Sequence, residues 1–405
     1  MKLTINKGQA RGRVSVPPSK SIAHRLLICA AMCCDGESLI RNLPSCEDVL
    51  ATIDCLSALG VKIDYDGKDA KVIGVDMTTA QASEPLCCRE SGSTLRFLIP
   101  IAMLSGHPAT LQGSERLIAR PQDVYEQLFK ECGLKFSKSA ESISVCGKLE
   151  AGEYFIDGNV SSQFITGLFL ALSTLSGDSK IIVNTEIESR PYVDMTIAAM
   201  RKFGVKIFPD TDWSFYIFGG PEYKSRDIAV EGDWSAGAFL HALNCLGGKV
   251  KVDGLDKDSI QGDKICIKHM SKLNKGYAEI DITNCPDLGP ILFAVAAAKH
   301  GAKFVGTKRL RDKESDRIEA MKAELEKFGA ELIVEENSVT VVRHELHAPS
   351  ATLYGHNDHR IVMSLAVLCT LYGGEIEGCE AVNKSYPEFF DHLMALGIKI
   401  SAIDN

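Results

Sequence analysis

One phrase recurs six times in this chain of 405 residues: an amphipathic helix that ends at a glycine and continues into a strand. Such glycines are typical of helix C-termini, where the backbone often takes a left-handed conformation that glycine adopts freely. Five copies match well and the fourth is weak. The copies are "LSALGVKI", "LFKECGLKF", "AMRKFGVKI", "KLNKGYAEI", "ELEKFGAEL" and "LMALGIKI", with glycines at Gly60, Gly133, Gly204, Gly276, Gly329 and Gly397. The chain is therefore expected to build one local structure repeatedly.

A second phrase recurs in step with the first: a polar cluster that opens an apolar helix. The intervals between openings are similar, except for a shorter one before the fifth. Each repeat is therefore predicted to hold a buried helix, a surface helix and alternating strands. Ordinary N-capping explains any single opening, so a shared site is inferred only because all six occur in register. The openings are "SKSIAHR", "ESGSTLR", "VSSQF", "GDWSAG", "CPDLGP" and "NDHR".

The openings predict an anion-binding site. Backbone N–H groups at a helix N-terminus lack intrahelical partners and carry the positive end of the helix dipole, so they bind phosphate readily. The first opening adds Lys20 and Arg25, which are costly to bury without partners. We expect both cations to face solvent and a ligand rather than the core.

The length exceeds what one hydrophobic core usually supports, so six repeats are expected to form two domains of three. The exchange point is predicted near "YKSRDIAV", around residue 225. The order of the repeats does not decide whether the first strand belongs with the second half.

Composition limits the partners. The formal net charge is −8 at pH 7, and no dense basic stripe occurs, which argues against nucleic acid or an anionic membrane surface as the main partner. No apolar run or N-terminal segment predicts a membrane span or a signal peptide. The 14 cysteines lack the spacing of metal ligands or of a disulfide framework. We therefore expect a cytoplasmic protein with reduced thiols and small ligands.

Six segments, taken together and in order, resemble the 5-enolpyruvylshikimate-3-phosphate synthase family, also called 3-phosphoshikimate 1-carboxyvinyltransferases. They extend over nearly the whole chain, although each alone is a weak signal. The segments are "PPSKSIAHRLL", "ESGSTLRFL", "VSSQFITGL", "RDKESDRI", "NDHRIVM" and "NKSYPEFF".

The resemblance implies an α/β fold, a two-domain inside-out α/β barrel in which each domain has three βαβαββ units around buried parallel helices. It implies a discontinuous domain of residues 1–15 and 226–405, a second domain of residues 16–225, and an active site in the cleft between them. The implied reaction, a step of the shikimate pathway to chorismate and the aromatic amino acids, transfers the enolpyruvyl group of phosphoenolpyruvate to the 5-hydroxyl of shikimate 3-phosphate and releases phosphate. No metal or organic cofactor is implied.

The resemblance also implies roles for single residues. Asp287, Glu314, Lys313 and Lys20 match the family's catalytic residues, and Lys20 also matches the lysine that contacts both substrates. Which of Asp287 and Glu314 takes the hydroxyl proton stays open. The family positions that bind either substrate fall on Lys20, Ser21, Arg25, Gly92, Arg120, Ser161, Ser162, Gln163, Ser189, Tyr192, Asp287, Lys313, Arg317, Arg360 and Lys384.

Some positions depart from the family pattern, and the role of another is left open by it. Glu90 and Arg309 stand where many members have Asn, which puts one contact at each in doubt. Arg96 fits a ligand contact or an intradomain salt bridge. Gly92 predicts sensitivity to glyphosate, an inhibitor of the phosphoenolpyruvate site in this family, because an alanine there would crowd the inhibitor. We expect the protein to act as a monomer.

The segment "RDKESDRIEAMKAELEKFGA" predicts a helix that buries a stripe starting at Ile318. Glu324 is expected on its solvated face. Lys313 and Arg317 are expected on one side of its first turn, where two cations are unfavourable unless an anion lies between them. The resemblance implies that this anion is a bound substrate.

Two alternatives stay open. The sister family that acts on UDP-N-acetylglucosamine shares the fold, but it places a reactive cysteine near "GSERLIARPQD", and no cysteine occurs between Cys88 and Cys132. A non-catalytic phosphometabolite-binding protein would keep the anion sites without turnover. The presence of Asp287, Lys313 and Glu314 argues against it.

Overall fold

The computed structural model describes residues 1–220 and 222–403 and divides into two compact units. Unit 1 comprises Met1–Pro17 and Gly232–Asn405, and unit 2 comprises Pro18–Glu231. The expected boundaries after residues 15 and 225 were too early, since the units divide after Pro17 and Glu231. The second boundary lies after the strand Asp227–Ala229 because this strand pairs in parallel with the strand Glu37–Arg41 of unit 2.

Helices alternate with strands along the chain. In the described residues the α-helices are α1 (Lys20–Ala31), α2 (Glu47–Ala58), α3 (Gly92–Ala102), α4 (Glu115–Ala119), α5 (Asp123–Glu131), α6 (Ser162–Leu172), α7 (Arg190–Lys202), α8 (Trp234–Cys245), α9 (Cys266–Lys275), α10 (Gly289–Ala298), α11 (Arg317–Glu326), α12 (His359–Tyr372) and α13 (Phe389–Ala395). Short 3-10 helices span Gly262–Ile265, Pro286–Leu288, Lys308–Asp312 and Cys379–Lys384. Among these helices none has both the length and the apolar character needed to cross a bilayer.

The strands are short and lie between the helices. They are β1 (Lys2–Ile5), β2 (Arg11–Ser15), β3 (Glu37–Arg41), β4 (Lys62–Tyr65), β5 (Ala70–Ile73), β6 (Leu86–Cys87), β7 (Ala109–Gln112), β8 (Lys135–Lys138), β9 (Ser142–Cys146), β10 (Glu153–Ile156), β11 (Ser179–Val183), β12 (Ile207–Thr211), β13 (Ser214–Ile217), β14 (Asp227–Ala229), β15 (Lys249–Asp253), β16 (Ala278–Asp281), β17 (Ala302–Val305), β18 (Glu331–Val334), β19 (Ser338–Val342), β20 (Leu353–Tyr354), β21 (Gly374–Glu377) and β22 (Ile400–Ala402).

The sheets repeat one pattern. In β6-β7-β9-β8, β10-β11-β13-β12 and β16-β17-β19-β18 the first pair is parallel and the other two pairs are antiparallel. The sheets β14-β3-β5-β4 and β20-β21-β1-β22 have the same pattern, but each takes one strand from a distant part of the chain. In the fourth repeat the sheet consists of β15 and β2, which explains the short interval before "CPDLGP". The predicted α/β fold built on βαβαββ units is confirmed.

Three helices in each unit are almost fully buried: α1, α3 and α6 in unit 2, and α8, α10 and α12 in unit 1. All six begin at the predicted polar openings. Within unit 2, α3 packs against α6, and within unit 1, α10 packs against α12. Each unit has its own hydrophobic core. Since apolar side chains bury these helices all round, their chemistry is concentrated at their N-terminal ends.

Candidate active site

In unit 2, the first candidate group lies at the start of α1. Lys20 is the first residue of this helix, and its Nζ donates to Asp48 Oδ2 at 2.8 Å. The side chains of Lys20 and Asp48 are 14% and 10% exposed. Asp48 lies in the first turn of α2. The carboxylate fixes the ammonium group while part of the lysine stays accessible, which suits a contact with an anionic ligand.

Arg25 lies further along α1 and is 2% exposed. Its guanidinium donates to Thr196 Oγ1 at 2.8 Å and to the Ser21 carbonyl at 2.6 Å. It also donates to the Tyr192 carbonyl at 3.0 Å. Burial lowers the pKa of Arg25 to about 10. The expectation that Arg25 faces solvent was wrong, because hydroxyl and carbonyl acceptors inside unit 2 replace water around it.

Gly92 and Arg120 lie against each other. Gly92 is the first residue of α3, and Arg120 follows α4. A Cβ added at Gly92 would lie 2.7 Å from Arg120 Nη1 and 3.1 Å from its Cζ. A larger residue at this position would therefore displace the guanidinium. The resemblance assigns both residues to phosphoenolpyruvate, and here the position of one depends on the size of the other.

Gln163 connects the starts of α3 and α6. Its Oε1 accepts from Arg96 Nη1 at 2.9 Å, and its Nε2 donates to Ser93 Oγ at 3.0 Å. Arg96 Nη2 also donates to the Pro121 carbonyl at 2.8 Å. Arg96, whose role was open, thus orients the amide of a predicted substrate-binding residue.

Serines occupy the N-caps of α6 and α7. Ser161 accepts from the Gln163 N–H at 3.3 Å, and Ser161 and Ser162 are each 3% exposed. Ser189, the N-cap of α7, has a left-handed backbone with φ 58°. This conformation is strained for a residue other than glycine, and such strain concentrates at functional sites. Tyr192 follows in the first turn of α7 and is half-buried.

In unit 1, Asp287 is the centre of the candidate group. It lies in the 3-10 helix immediately before α10. Its Oδ1 accepts from Arg317 Nη1 at 3.0 Å and lies 3.3 Å from Lys313 Nζ. Its Oδ2 accepts from Arg360 Nη2 at 2.8 Å. Three cations therefore surround one carboxylate whose side chain is 18% exposed.

Arg317 engages further carboxylates, although its side chain is only 1% exposed. Its Nη2 donates to Glu314 Oε2 at 2.7 Å, and its Nε donates to Asp358 Oδ2 at 2.8 Å. Burial alone would lower the pKa of Arg317, but Asp358, Glu314 and Asp287 raise it above its usual value. Removing one partner from such a buried network leaves the others uncompensated.

Lys313 does not lie in the helix that was expected to contain it. It follows the 3-10 helix Lys308–Asp312, and α11 begins at Arg317. The two cations therefore do not share a helical turn. The anion between them in this structure is the protein's own Asp287.

The buried stripe of α11 that starts at Ile318 is confirmed. Glu324 was wrongly placed in solvent. It is 2% exposed, and its Oε2 accepts a hydrogen bond from Lys327 Nζ at 2.8 Å. Its Oε1 lies within hydrogen-bond distance of His356 Nε2, at 3.0 Å. The helical period identified the buried stripe but not the cations that compensate a carboxylate at its edge.

Burial lowers the pKa of Lys313 to about 8. Asp287 opposes this shift, while Arg309 and Arg317 add to it. A lysine with such a pKa changes protonation near neutral pH. Arg309, which departs from the family pattern, is 8% exposed in the 3-10 helix before Lys313.

The start of α12 completes the cluster. Its N-cap Asp358 accepts from the Arg360 N–H at 2.9 Å. Burial opposes ionisation of Asp358, but Arg317 holds its pKa below the usual value. Arg360 also donates through Nη1 to the Asp287 carbonyl at 3.2 Å. Lys384 Nζ donates to the Asn357 carbonyl at 2.5 Å, so this cation lies beside the same helix start.

Sequence comparison decides the family. The profile described as EPSP synthase (3-phosphoshikimate 1-carboxyvinyltransferase) matches residues 5–275 and 271–393. A 3-phosphoshikimate 1-carboxyvinyltransferase of Clostridium novyi (strain NT) is 40% identical over 98% of this chain and 97% of its own length. The chain belongs to the EPSP synthase family. A relative of the same name from Clostridium beijerinckii (strain ATCC 51743 / NCIMB 8052) is 38% identical over 98% of this chain and 97% of its own.

Solved structures show the same fold. An EPSP synthase from Acinetobacter baumannii gives a TM-score of 0.80 at 21% identity and covers 99% of this chain and 100% of its own. The enolpyruvyl transferase NikO from Streptomyces tendae gives 0.75 at 14% identity, with 99% and 98% covered. At these identities the similarity concerns the fold alone. The family, the enzyme class and the fold class expected from the sequence are confirmed.

The sequence pointed to most residues of these EPSP synthase groups, but it missed partners that hold them. Asp48, which pairs with Lys20, and Ser93, which contacts Gln163, were not predicted. The acidic start of α2 was a visible signal for Asp48. Its pairing with Lys20 is a tertiary contact that no local pattern announces.

Proposed function

We propose that this member of the EPSP synthase family transfers the enolpyruvyl group of phosphoenolpyruvate to the 5-hydroxyl of shikimate 3-phosphate through the residues described above. A C–O bond forms between the hydroxyl oxygen and C2 of phosphoenolpyruvate, and the bond from C2 to the phosphate oxygen breaks. A proton leaves the hydroxyl and phosphate is released, so no oxidant or reductant is needed. The observation that carries the proposal is the carboxylate Asp287 held among Lys313, Arg317 and Arg360.

The Asp287 cluster supplies both proton transfer and charge stabilisation. Asp287 and Glu314 are carboxylates in contact with the same arginine, Arg317. Their proton affinities are therefore coupled, and the pair can exchange protons with the hydroxyl and with the enolpyruvyl methylene. Lys313 and Arg360 stabilise negative charge that develops on the reacting oxygens and on the departing phosphate.

Unit 2 supplies contacts to the anionic and polar groups of the substrates. Lys20, partly exposed and held by Asp48, serves both substrates. Ser161 and Ser162 offer hydroxyls and helix N-terminal amides to the 3-phosphate. Gln163, oriented by Arg96, serves the ring, and Arg120 serves phosphoenolpyruvate.

Three finer expectations belong to this proposal. We propose that the enzyme works in the cytoplasm, which is supported by its fourteen free thiols. We propose that it acts as a monomer. We also propose inhibition by glyphosate at the phosphoenolpyruvate contacts, because Gly92, which has no Cβ, lets the Arg120 guanidinium lie against the start of α3.

The test is to mix the purified protein with shikimate 3-phosphate and phosphoenolpyruvate without added metal. Phosphate release is followed while the organic product is identified by mass. We expect the enolpyruvyl adduct and an equal amount of phosphate, and a loss of both with Asp287→Asn. Turnover with UDP-N-acetylglucosamine instead of shikimate 3-phosphate would favour the sister activity. No turnover with either acceptor would leave a binding protein.

A further inference from the structure

Asp263 is a buried carboxylate to which the resemblance assigns no role. It lies in the 3-10 helix Gly262–Ile265 of unit 1 and is 3% exposed. Its Oδ2 accepts a hydrogen bond from the hydroxyl of Ser235, in the first turn of α8. A carboxylate this deeply buried is costly unless its surroundings compensate it. Its position therefore indicates a specific task.

Ser235 connects Asp263 to the cluster around Asp287. Arg360 Nη2 lies 3.4 Å from Ser235 Oγ and donates to Asp287 Oδ2 at 2.8 Å. A hydroxyl has a single proton, so while Ser235 donates to Asp263 its lone pairs are available to Arg360. Because Ser235 gives its proton to the carboxylate of Asp263, its oxygen is oriented as a hydrogen-bond acceptor for the guanidinium of Arg360.

We propose that Asp263 is a positioning residue that orients Arg360 against Asp287 through Ser235. Its effect on turnover rests on the proposed function, whereas the connection from Asp263 through Ser235 and Arg360 to Asp287 rests only on contacts within unit 1. Asp263 has no assigned contact with a substrate and acts through its neighbours.

Gln261 provides a second tether between the segment of Asp263 and the start of α8. Gln261 Nε2 donates to the Gly232 carbonyl at 2.8 Å, and its Oε1 accepts from the Trp234 N–H at 3.0 Å. These two bonds attach the segment before α9 to the start of α8. Asp263 is therefore not needed as the sole tether between them.

The charge of Asp263 varies in the pH range where such an enzyme works. Burial, followed by the nearby charge of Asp287, raises the pKa of Asp263 to about 6, although Arg360 and Ser235 oppose this. The groups that face it from the surrounding elements are Asp233, the N-cap of α8, Ser235 of α8, Cys266 of α9, Cys285 and Asp287 before α10, and Arg360 of α12. Asp263 is ionised at pH 7 and loses its charge as the pH falls below about 6.

The same spacing recurs in unit 2. Lys20 contacts Asp48 there, and Ser235 contacts Asp263 here, and in each pair the residues are 28 positions apart. In both repeats a side chain at the start of a buried helix contacts a carboxylate of the next helical segment. In unit 2 the carboxylate holds a cation directly, and in unit 1 it acts on Arg360 through a hydroxyl.

The experiment compares Asp263→Asn and Ser235→Ala with the wild-type protein. Asp263→Asn keeps the shape and removes the charge, and Ser235→Ala breaks the same connection while keeping the carboxylate. Glu324→Gln is the control, since it neutralises another buried carboxylate of unit 1 that pairs with Lys327 and His356.

Two readouts are taken. Carbon-13 NMR of labelled aspartate carboxyls, with Asp263 assigned by Asp263→Asn, measures the titration of Asp263 directly. We expect Asp287→Asn to lower the Asp263 midpoint by about 0.5 pH unit or more, because a like charge has been removed, and Ser235→Ala to raise it, because a hydrogen bond to the ionised form has been lost. With shikimate 3-phosphate and phosphoenolpyruvate, we expect Asp263→Asn and Ser235→Ala to lower kcat about tenfold, with the component near pH 6 lost from the kcat profile of Asp263→Asn.

The outcomes separate the two proposals. If the Asp263 titration is the same in Ser235→Ala and wild type, and the kcat profile of Asp263→Asn keeps its wild-type shape, the positioning role is overturned, even if the variants melt earlier. If Glu324→Gln produces the same shifts, the effect is a general one of buried charge and the role is also overturned. If the Asp263 midpoint shifts in Ser235→Ala but wild type makes no enolpyruvyl product, the positioning role stands and the proposed function fails.

Discussion

The candidate groups of the two units use their arginines differently. In unit 2, Arg25 contacts a hydroxyl and two carbonyls, and Arg96 contacts an amide and a carbonyl. In unit 1, Arg317 contacts three carboxylates. Phosphate binding needs excess positive charge, whereas proton transfer needs carboxylates whose proton affinity is tuned by neighbours. We infer that unit 2 mainly binds the substrates and that unit 1 mainly moves protons.

The largest effect is expected where that difference is greatest. Asp287→Asn should lower kcat about 1,000-fold, because it removes a proton-transfer group and the charge that three cations share. Asp48→Asn, the matched change in unit 2, should cost only about tenfold, since it loosens Lys20 without touching a proton-transfer group. Steady-state kinetics with both substrates measures the two. An equal loss in both variants would contradict the division of labour.

A substantial but smaller loss of activity is expected in unit 2, where the proposal assigns Lys20 to substrate binding. Lys20→Met should lower kcat/KM for both substrates about 100-fold, because the ammonium group that suits an anion is removed. Lys62→Met, which changes an exposed lysine of the same unit, is the control and should behave as wild type. A Lys20→Met effect confined to one substrate would show that this lysine does not serve both.

A tenfold effect is expected from the contact between Gly92 and Arg120. Gly92→Ala places a Cβ where Arg120 Nη1 lies at 2.7 Å, so the guanidinium must move. We expect KM for phosphoenolpyruvate to rise about tenfold, equivalent to roughly 1.4 kcal/mol, with little change in KM for shikimate 3-phosphate. Gly152→Ala, whose Cβ would meet no atom within 4 Å, is the control. An unchanged KM for phosphoenolpyruvate in Gly92→Ala would show that Arg120 does not contact that substrate.

The smallest effect at neutral pH concerns Lys313. Because its pKa is lowered to about 8, the lysine is charged below that pH and loses its charge as the pH rises through it. We expect kcat/KM to fall above about pH 8 and Lys313→Arg to move this decline to higher pH, since arginine stays protonated. Rate measurements from pH 6 to pH 10, with Lys303→Arg as a control at a more exposed position, test this. A decline that stays in place in Lys313→Arg would assign it to another group.

Local sequence patterns predicted what depends on neighbouring residues. The glycine-terminated phrases and the polar openings gave the repeated helices and the starts of the buried ones. The weak fourth phrase coincides with the repeat whose sheet has two strands, β15 and β2. Motif order identified the family. These features were readable because capping, helical period and strand alternation each involve residues close together in the chain.

Side-chain partners could not be read in this way. Arg25 was expected in solvent but is buried among acceptors from α7, and Glu324 was expected in solvent but pairs with Lys327 and His356. In both cases the free-energy cost of burying the charge depends on its partners in the folded structure, and some of these partners lie far away in the sequence. The same applies to Asp48 and Asp263, whose partners are 28 residues away.

The sequence by itself determined the repeated architecture, the EPSP synthase family and the identity of most candidate groups. Tertiary structure alone decided where the units divide, which carboxylate stands between Lys313 and Arg317, and that Asp263 reaches Arg360 through Ser235. The physical reason is that helices and strands form from local preferences, whereas the charge state and orientation of a buried group are set by whatever the fold places within a few ångströms of it.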